Sequence, residues 1–180
     1  MQLELLSQSD LETLSVLIKD ARNIIVCCHK SPDGDAIGSS LAWADYLRQV
    51  GKDPLVIVPD AFPDFLRLMP GVEKVMRYDK HTALCNARMA EADLIFCLDF
   101  NATSRVDDMQ QALDKATAQR VVFDHHLNPQ INARLLVSFP LMSSTCEIVF
   151  RIVWQLGGFD LLTRQAAVAV YCGMMTDTGG

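Results

Sequence analysis

Three groups of acidic and imidazole side chains stand out in this sequence because each follows a short apolar run. His29, Asp33 and Asp35 form an HxxxDxD pattern, Asp99 follows the segment LIFCL, and an Asp-His-His triplet occupies positions 124–126. Carboxylates and neutral imidazoles are ligands for divalent cations, and a mixed set without thiolates suits Mn²⁺ better than Mg²⁺ or Zn²⁺. The residue types therefore predict a divalent-metal site.

These acids would repel one another strongly if they met without a counter-charge. Two divalent cations would neutralise four clustered carboxylates. Two cations about 3.5–4 Å apart need a bridging carboxylate, and such pairs clamp the attacking and leaving oxygens in phosphoryl displacement. The pattern therefore predicts a two-metal centre with phosphoryl-transfer chemistry.

Each of these residues taken singly has a simpler interpretation. A lone aspartate after a strand most often caps a helix or a turn, and a lone surface histidine is usually solvated. HxxxDxD, Asp99 and DHH occur in this order, each after an apolar run. That coincidence favours a shared site over the alternative, an α/β scaffold whose turns happen to be acidic.

The candidate residues lie within an alternation of apolar strands and helices. Ser9 followed by Glu12 resembles a capping box, so we predict that the first helix begins there. The predicted strands span 23–28, 54–58, 94–98 and 120–123, with a weaker edge-strand candidate at 72–78. The predicted helices span 9–21, 36–50, 81–92, 107–118, 144–156 and 163–175, with a short helix or loop at 61–69.

This alternation predicts an α/β fold with a mostly parallel β-sheet flanked by helices. In such folds ligands bind beyond the carboxyl ends of the strands, and all three groups follow strand ends. We therefore expect residues far apart in the sequence to meet at one edge of the sheet.

Bulk properties narrow the class of protein. The 180 residues fit one domain, residues 1–180, with an N-terminal helical segment in 1–22. A net charge of −6 disfavours tracking along long nucleic acid. No apolar run reaches the roughly 18 residues of a membrane span, and no signal peptide is evident, so we expect no membrane partner and a cytoplasmic location. The six cysteines form no CxxC pair, which indicates reduced core thiols.

Four segments resemble the ordered motifs of the DHH phosphoesterase superfamily. These are HKSPDGDAIGSS at 29–40, LDFNATSR at 98–105, FDHH at 123–126 and TDTG at 176–179. The form of the first motif is most similar to the bacterial oligoribonuclease (nanoRNase) and 3′-phosphoadenosine 5′-phosphate (pAp) phosphatase type. Nothing in the sequence resembles the second, DHHA1-type domain that members usually carry, so we expect these residues to form the DHH domain without it.

The resemblance implies a role for each motif residue. One metal would be bound by His29 and Asp33, the other by Asp35, His125 and Asp177, with Asp99 bridging them. His126 would contact the scissile phosphate, and Asp124 would contribute to catalysis by orienting the histidines. Ser143, Ser144, Thr145 and Arg105 are candidates for substrate binding, although simple helix capping by the hydroxyl residues and a solvated arginine stay open.

The function that the resemblance implies is manganese-dependent hydrolysis of short oligonucleotides, as an exonuclease, and of pAp, through a water activated by two metal ions. One alternative keeps the chemistry and changes the substrate to a cyclic dinucleotide, its linear product or, less favoured, pyrophosphate. An alternative of another class is a non-catalytic nucleotide-binding module on the same fold. The oligomeric state stays open, a homodimer included.

Overall fold

A parallel β-sheet forms the centre of the computed structural model, which describes residues 4–179. Residues 1–3 and 180, at the two ends of the predicted domain, lie outside the described residues. Within the described part the sheet has six strands in the order β3-β2-β1-β4-β5-β6, and each neighbouring pair is parallel. The strands are β1 (Ile24–Cys27), β2 (Leu55–Val58), β3 (Met76–Arg77), β4 (Leu94–Leu98), β5 (Gln119–Asp124) and β6 (Leu135–Ser138).

Helices cover both faces of the sheet, which confirms the predicted α/β class. The α-helices are α1 (Gln8–Asp20), α2 (Gly34–Gln49), α3 (Thr82–Glu91), α4 (Gln110–Lys115), α5 (Thr145–Gln155) and α6 (Arg164–Thr178). Short 3-10 helices lie at Asp64–Leu68, Val72–Lys74, Thr103–Met109 and Phe159–Leu161. Among residues 4–179, none of the helices combines the length and the hydropathy that a membrane crossing requires.

Two apolar layers bury the sheet from opposite sides. On one face Trp43 of α2 packs edge-on against Phe96 and Phe123, with ring centroids 5.1 and 5.0 Å apart. On the other face Met89 of α3 and Leu113 of α4 are fully buried. Burial on both faces explains why β1 and β4 read as continuous apolar runs rather than alternating ones.

The first helix starts earlier than predicted. Ser7, not Ser9, is the N-cap, because its hydroxyl oxygen accepts from the Asp10 backbone N–H at 3.1 Å and its hydroxyl donates to the Asp10 carboxylate at 2.8 Å. The predicted capping box of Ser9 and Glu12 is therefore wrong, and both residues lie inside α1.

The remaining differences concern short elements. The strand β6 was not predicted, and the predicted edge strand at 72–78 is a strand only at Met76–Arg77. The predicted helix at 107–118 is shortened to α4, which begins at Gln110, because Asp107, inside the 3-10 segment Thr103–Met109, has the non-helical angles φ 48° and ψ −122°. The last helix continues past the predicted residue 175 to Thr178, so it includes Asp177.

Close packing of α2, α5 and α6 brings two of the predicted ligands together. A side-chain carbon at Gly34 would overlap Thr176, and one at Gly173 would overlap the Cys146 sulfur. Helices can approach this closely only where a residue lacks a Cβ. The approach places Asp35, next to Gly34, opposite the last turn of α6, where Asp177 lies.

Candidate metal centre

The candidate ligands meet where β1, β4 and β5 end. These three strands are neighbours in the sheet, so the segments that follow them converge at one edge. His29 follows β1, Asp99 follows β4, and His125 follows β5. Helices supply the other side chains, with Asp33 capping α2 and Asp35 in its first turn. The structure thus brings together residues from four distant parts of the chain.

Asp99 lies between two groups of side chains that could each hold a cation. Its Oδ2 atom is 3.4 Å from His29 Nε2, which is also 3.8 Å from Asp33 Oδ2. Its Oδ1 atom is 3.6 Å from His125 Nε2. The two oxygens of one buried carboxylate therefore face different imidazoles, which is the arrangement that a bridging ligand needs.

The second group is completed by Asp35 and Asp177. His125 Nε2 lies 3.8 Å from Asp35 Oδ2 and 3.5 Å from Asp177 Oδ2. One ligand atom from each of these three residues falls within 4.8 Å of the others, as it does for His29, Asp33 and Asp99. Carboxylate oxygens and imidazole nitrogens at this spacing fit divalent cations.

Asp33 uses only one of its carboxylate oxygens to cap a helix. Its Oδ1 atom accepts from the backbone N–H groups of Asp35 and Ala36 at 3.0 and 2.9 Å, which caps α2. Its Oδ2 atom is the one that faces His29. The capping alternative for Asp33 is therefore correct, and it leaves the second oxygen available to a cation.

His126 differs from His125 in the partner of its Nδ1 atom, which is a carboxylate for His126 and the Met142 carbonyl, at 3.3 Å, for His125. His126 Nδ1 lies 2.7 Å from Asp124 Oδ1, and Asp124 is fully buried. This hydrogen bond raises the pKa of His126, as do the charges of Asp124 and Asp99, while burial and the nearby Arg105 oppose the rise. The side chain of His126 is 38% exposed, so the ring is held by a protein carboxylate and remains open to solvent.

Asp99 itself is fixed by an unusual backbone conformation and by two hydrogen bonds. Its φ is 64°, a left-handed value that few residues other than glycine adopt without support. The Asp99 N–H donates to the Phe123 carbonyl at 2.9 Å, and the Thr145 hydroxyl donates to Asp99 Oδ1, also at 2.9 Å. The Asp99 side chain and backbone are therefore held from β5 and from α5.

The N-terminus of α5 holds Asp35. The Thr145 N–H donates to Asp35 Oδ2 at 2.7 Å and the Cys146 N–H donates to Oδ1 at 2.8 Å. Unpaired N–H groups and the positive end of the helix dipole both stabilise a carboxylate at this position. The N–H groups at this helix end thus bind a carboxylate of the protein itself.

This arrangement changes the interpretation of the hydroxyl residues before α5. Ser144 is buried and caps the helix by accepting from the Glu147 N–H at 3.1 Å. Ser143 donates to the Glu147 carboxylate through both its N–H and its hydroxyl. Ser144 therefore caps α5, and the Thr145 hydroxyl bonds Asp99, while the substrate contacts expected of both residues stay a prediction.

Crowding of the carboxylates perturbs their ionisation. Burial, and next the charge of Asp99, raise the pKa of Asp35 to about 7 despite the amide hydrogen bonds that favour its charged form. Burial also raises the pKa of Asp177. Burial would raise the pKa of Asp99 too, but the hydrogen bond and charge of His29, with the Thr145 hydroxyl, hold it below its ordinary value. Divalent cations would offset the repulsion among these crowded carboxylates.

Arg105 lies on the 3-10 helix Thr103–Met109 with an exposed side chain. Lys30, the other basic residue next to a motif, forms an ion pair with Asp107. Of the two, Arg105 is the one with a charge near His126, as the pKa of that histidine indicates.

Residues 23–174 match the family described as the DHH family, N-terminal domain. This chain belongs to the DHH family. It is 31% identical over 171 residues to the bifunctional oligoribonuclease and PAP phosphatase NrnA of Thermus thermophilus, covering 87% of this chain and 43% of that protein. It is 27% identical over 175 residues to the cyclic-di-AMP phosphodiesterase PdeA of Listeria monocytogenes, covering 93% of this chain and 26% of that protein.

A solved structure has a fold similar to that of this chain. The crystal structure of an exopolyphosphatase-related protein from Bacteroides fragilis matches with a TM-score of 0.94 and 41% identity, over 97% of this chain and 51% of that one. The DHH chain thus spans less than half the length of the two curated relatives and about half of the solved structure.

Proposed function

We propose that this DHH domain hydrolyses phosphate esters of short oligonucleotides and of pAp, and that it uses two divalent cations, preferably Mn²⁺. The observation that supports it best is the position of Asp99, whose two oxygens face His29 and His125 at 3.4 and 3.6 Å. The similarity to a protein named as an oligoribonuclease and PAP phosphatase supports the substrate class.

The residues would divide the cations between two neighbouring positions. His29 and Asp33 would hold one, His125, Asp35 and Asp177 the other, and Asp99 would contact both. Cations bound there would lower the pKa of a water molecule and offset the negative charge that develops on the phosphoryl oxygens.

The protein's own groups would orient the substrate. Asp124 accepts from Nδ1 of His126, so the ring is fixed and Nε2 is left to contact a phosphoryl oxygen. The raised pKa of His126, caused first by that hydrogen bond, favours the protonated ring, which donates to an anion. The exposed Arg105 would add a second positive charge near the same phosphate.

A second candidate substrate is a cyclic dinucleotide or its linear product. It is favoured by the similarity to a cyclic-di-AMP phosphodiesterase, which covers more of this chain than the similarity to NrnA, at lower identity. Incubation with a dinucleotide, pAp, cyclic di-AMP and pyrophosphate in the presence of Mn²⁺ would separate the candidates. If cyclic di-AMP is cleaved faster than the dinucleotide and pAp, the second candidate substrate would replace the first.

The experiment that tests the shared chemistry is Asp99→Ala. Loss of the bridge should abolish hydrolysis. Calorimetry should then show fewer Mn²⁺ ions bound than the two expected for the unaltered chain. Asp108→Ala is the matched control, because Asp108 is an exposed aspartate outside both ligand groups. Normal manganese-dependent hydrolysis by the Asp99→Ala variant would refute the assignment, and failure of the unaltered chain to bind Mn²⁺ would favour a binding module.

A further inference from the structure

The turn that carries two of the candidate ligands contains a residue in an unfavourable conformation. Ser31 lies two positions after His29 and two before Asp33, and its φ is 51°. A residue with a Cβ adopts this left-handed conformation only where surrounding contacts hold it. Rotation of the backbone at Ser31 would change the separation of His29 and Asp33, so whatever holds Ser31 also sets that separation.

Asp60 supplies the contacts. It follows β2, the neighbour of β1, and it is partly buried. The Ser31 N–H donates to Asp60 Oδ1 at 2.6 Å, and the Ser31 hydroxyl lies 3.4 Å from Asp60 Oδ2. Asp60 belongs to none of the four motifs and to none of the candidate ligand groups among the described residues.

The other side of the same turn is tied to the segment that follows β4. The Lys30 N–H donates to the Arg105 carbonyl at 2.8 Å, and the Lys30 ammonium pairs with Asp107. These contacts fix the residue before Ser31 and leave the conformation of Ser31 itself to Asp60. The turn is therefore held from two directions, and the contact to Asp60 is the one made by the strained residue.

We propose that Asp60 is a positioning residue for the metal centre, which acts by holding Ser31 in its left-handed conformation so that His29 and Asp33 face one cation. The inference rests on the proposed two-metal function. It differs from a purely electrostatic role, in which the charge of Asp60 would attract cations to the neighbourhood without fixing the turn.

Three substitutions separate these roles. Asp60→Ala removes both the hydrogen bond and the charge. Asp60→Asn removes the charge and keeps an oxygen that accepts from the Ser31 N–H. Ser31→Gly, introduced into Asp60→Ala, restores by intrinsic preference the conformation that the hydrogen bond held, since glycine adopts positive φ at no steric cost. Asp108→Asn is the matched control, because Asp108 lines a surface groove together with Asp60 and Lys30, and no hydrogen bond joins it to the turn among residues 4–179.

The measurement is Mn²⁺ titration by calorimetry on each variant, with circular dichroism to follow unfolding. We expect two sites in the unaltered chain and, in Asp60→Ala, one site weakened about 10- to 100-fold, the usual effect of removing a neighbour that orients a ligand. Asp60→Asn and Asp108→Asn should bind within about threefold of the unaltered chain, and the double variant should recover most of the lost affinity.

Several results would overturn the inference. Unchanged Mn²⁺ binding by Asp60→Ala would do so, as would Asp60→Asn binding as weakly as Asp60→Ala, which would assign the effect to charge. If the double variant folds but does not recover Mn²⁺ affinity, Asp60 does not act through the conformation of Ser31. Unfolding at the assay temperature of both Asp60→Ala and the double variant would show that Asp60 supports the fold as a whole. No Mn²⁺ binding by the unaltered chain would refute the proposed function instead.

Discussion

Thr145→Val tests whether α5 holds the bridging carboxylate. Valine has nearly the same shape as threonine, so the substitution removes the hydroxyl donor and little else. The donor and Asp99 are both buried, and the bond between them is 2.9 Å long. Hydrogen bonds to charged groups contribute about 1.5–3 kcal/mol, and no solvent replaces a donor lost from a buried site. We expect the free energy of unfolding of the metal-free protein to fall by that amount.

Urea denaturation in the presence of a chelator measures the loss, and Thr145→Ser is the control. Serine keeps the hydroxyl and loses one methyl group, which costs about 1 kcal/mol. Mn²⁺ affinity should also fall about 10-fold or more in Thr145→Val and stay near normal in Thr145→Ser. A valine variant at least as stable as the serine variant, with normal Mn²⁺ affinity, would refute the role assigned to this hydroxyl.

Three further predictions follow from the site. Since burial raises the pKa of Asp35 to about 7 from an ordinary value of 3.8, the folded metal-free protein keeps a proton there that the unfolded chain releases. Its free energy of unfolding should therefore fall by at most about 4 kcal/mol as the pH rises from about 4 to 7. Urea titrations with chelator measure this change, and a free energy of unfolding that does not vary with pH would contradict the prediction. Gly173→Ala places a carbon against the Cys146 sulfur and near Asp35, so it should destabilise by about 1–3 kcal/mol and weaken Mn²⁺ binding; a neutral result would show that the helices can separate. Arg105→Ala should raise KM for pAp and leave Mn²⁺ affinity unchanged, and an unchanged KM would remove Arg105 from the substrate site.

The strands that build the site could be predicted because burial on both faces leaves a clear signal. LIFCL was predicted at residues 94–98 and is β4, residue for residue. By contrast β6 lies at the sheet edge, with Leu135 and Val137 buried and Leu136 exposed. Four residues with that alternation give too short a pattern to distinguish from a loop.

The site shows the same division between local and long-range information. His29 and Asp99 were predicted because each directly follows a strand, so the sequence alone brings them to one sheet edge. Thr145 and Asp60 act through contacts with residues 46 and 29 positions away. Such contacts depend on how α5 and β2 pack against their neighbours, which no spacing in the sequence records.

The most direct test of the account is anomalous diffraction from crystals of this chain soaked in Mn²⁺. The account predicts two anomalous peaks on either side of Asp99, one next to His29 and Asp33 and the other next to Asp35 and Asp177. Peaks only at other places on the surface, or none at a concentration that saturates binding in solution, would contradict it.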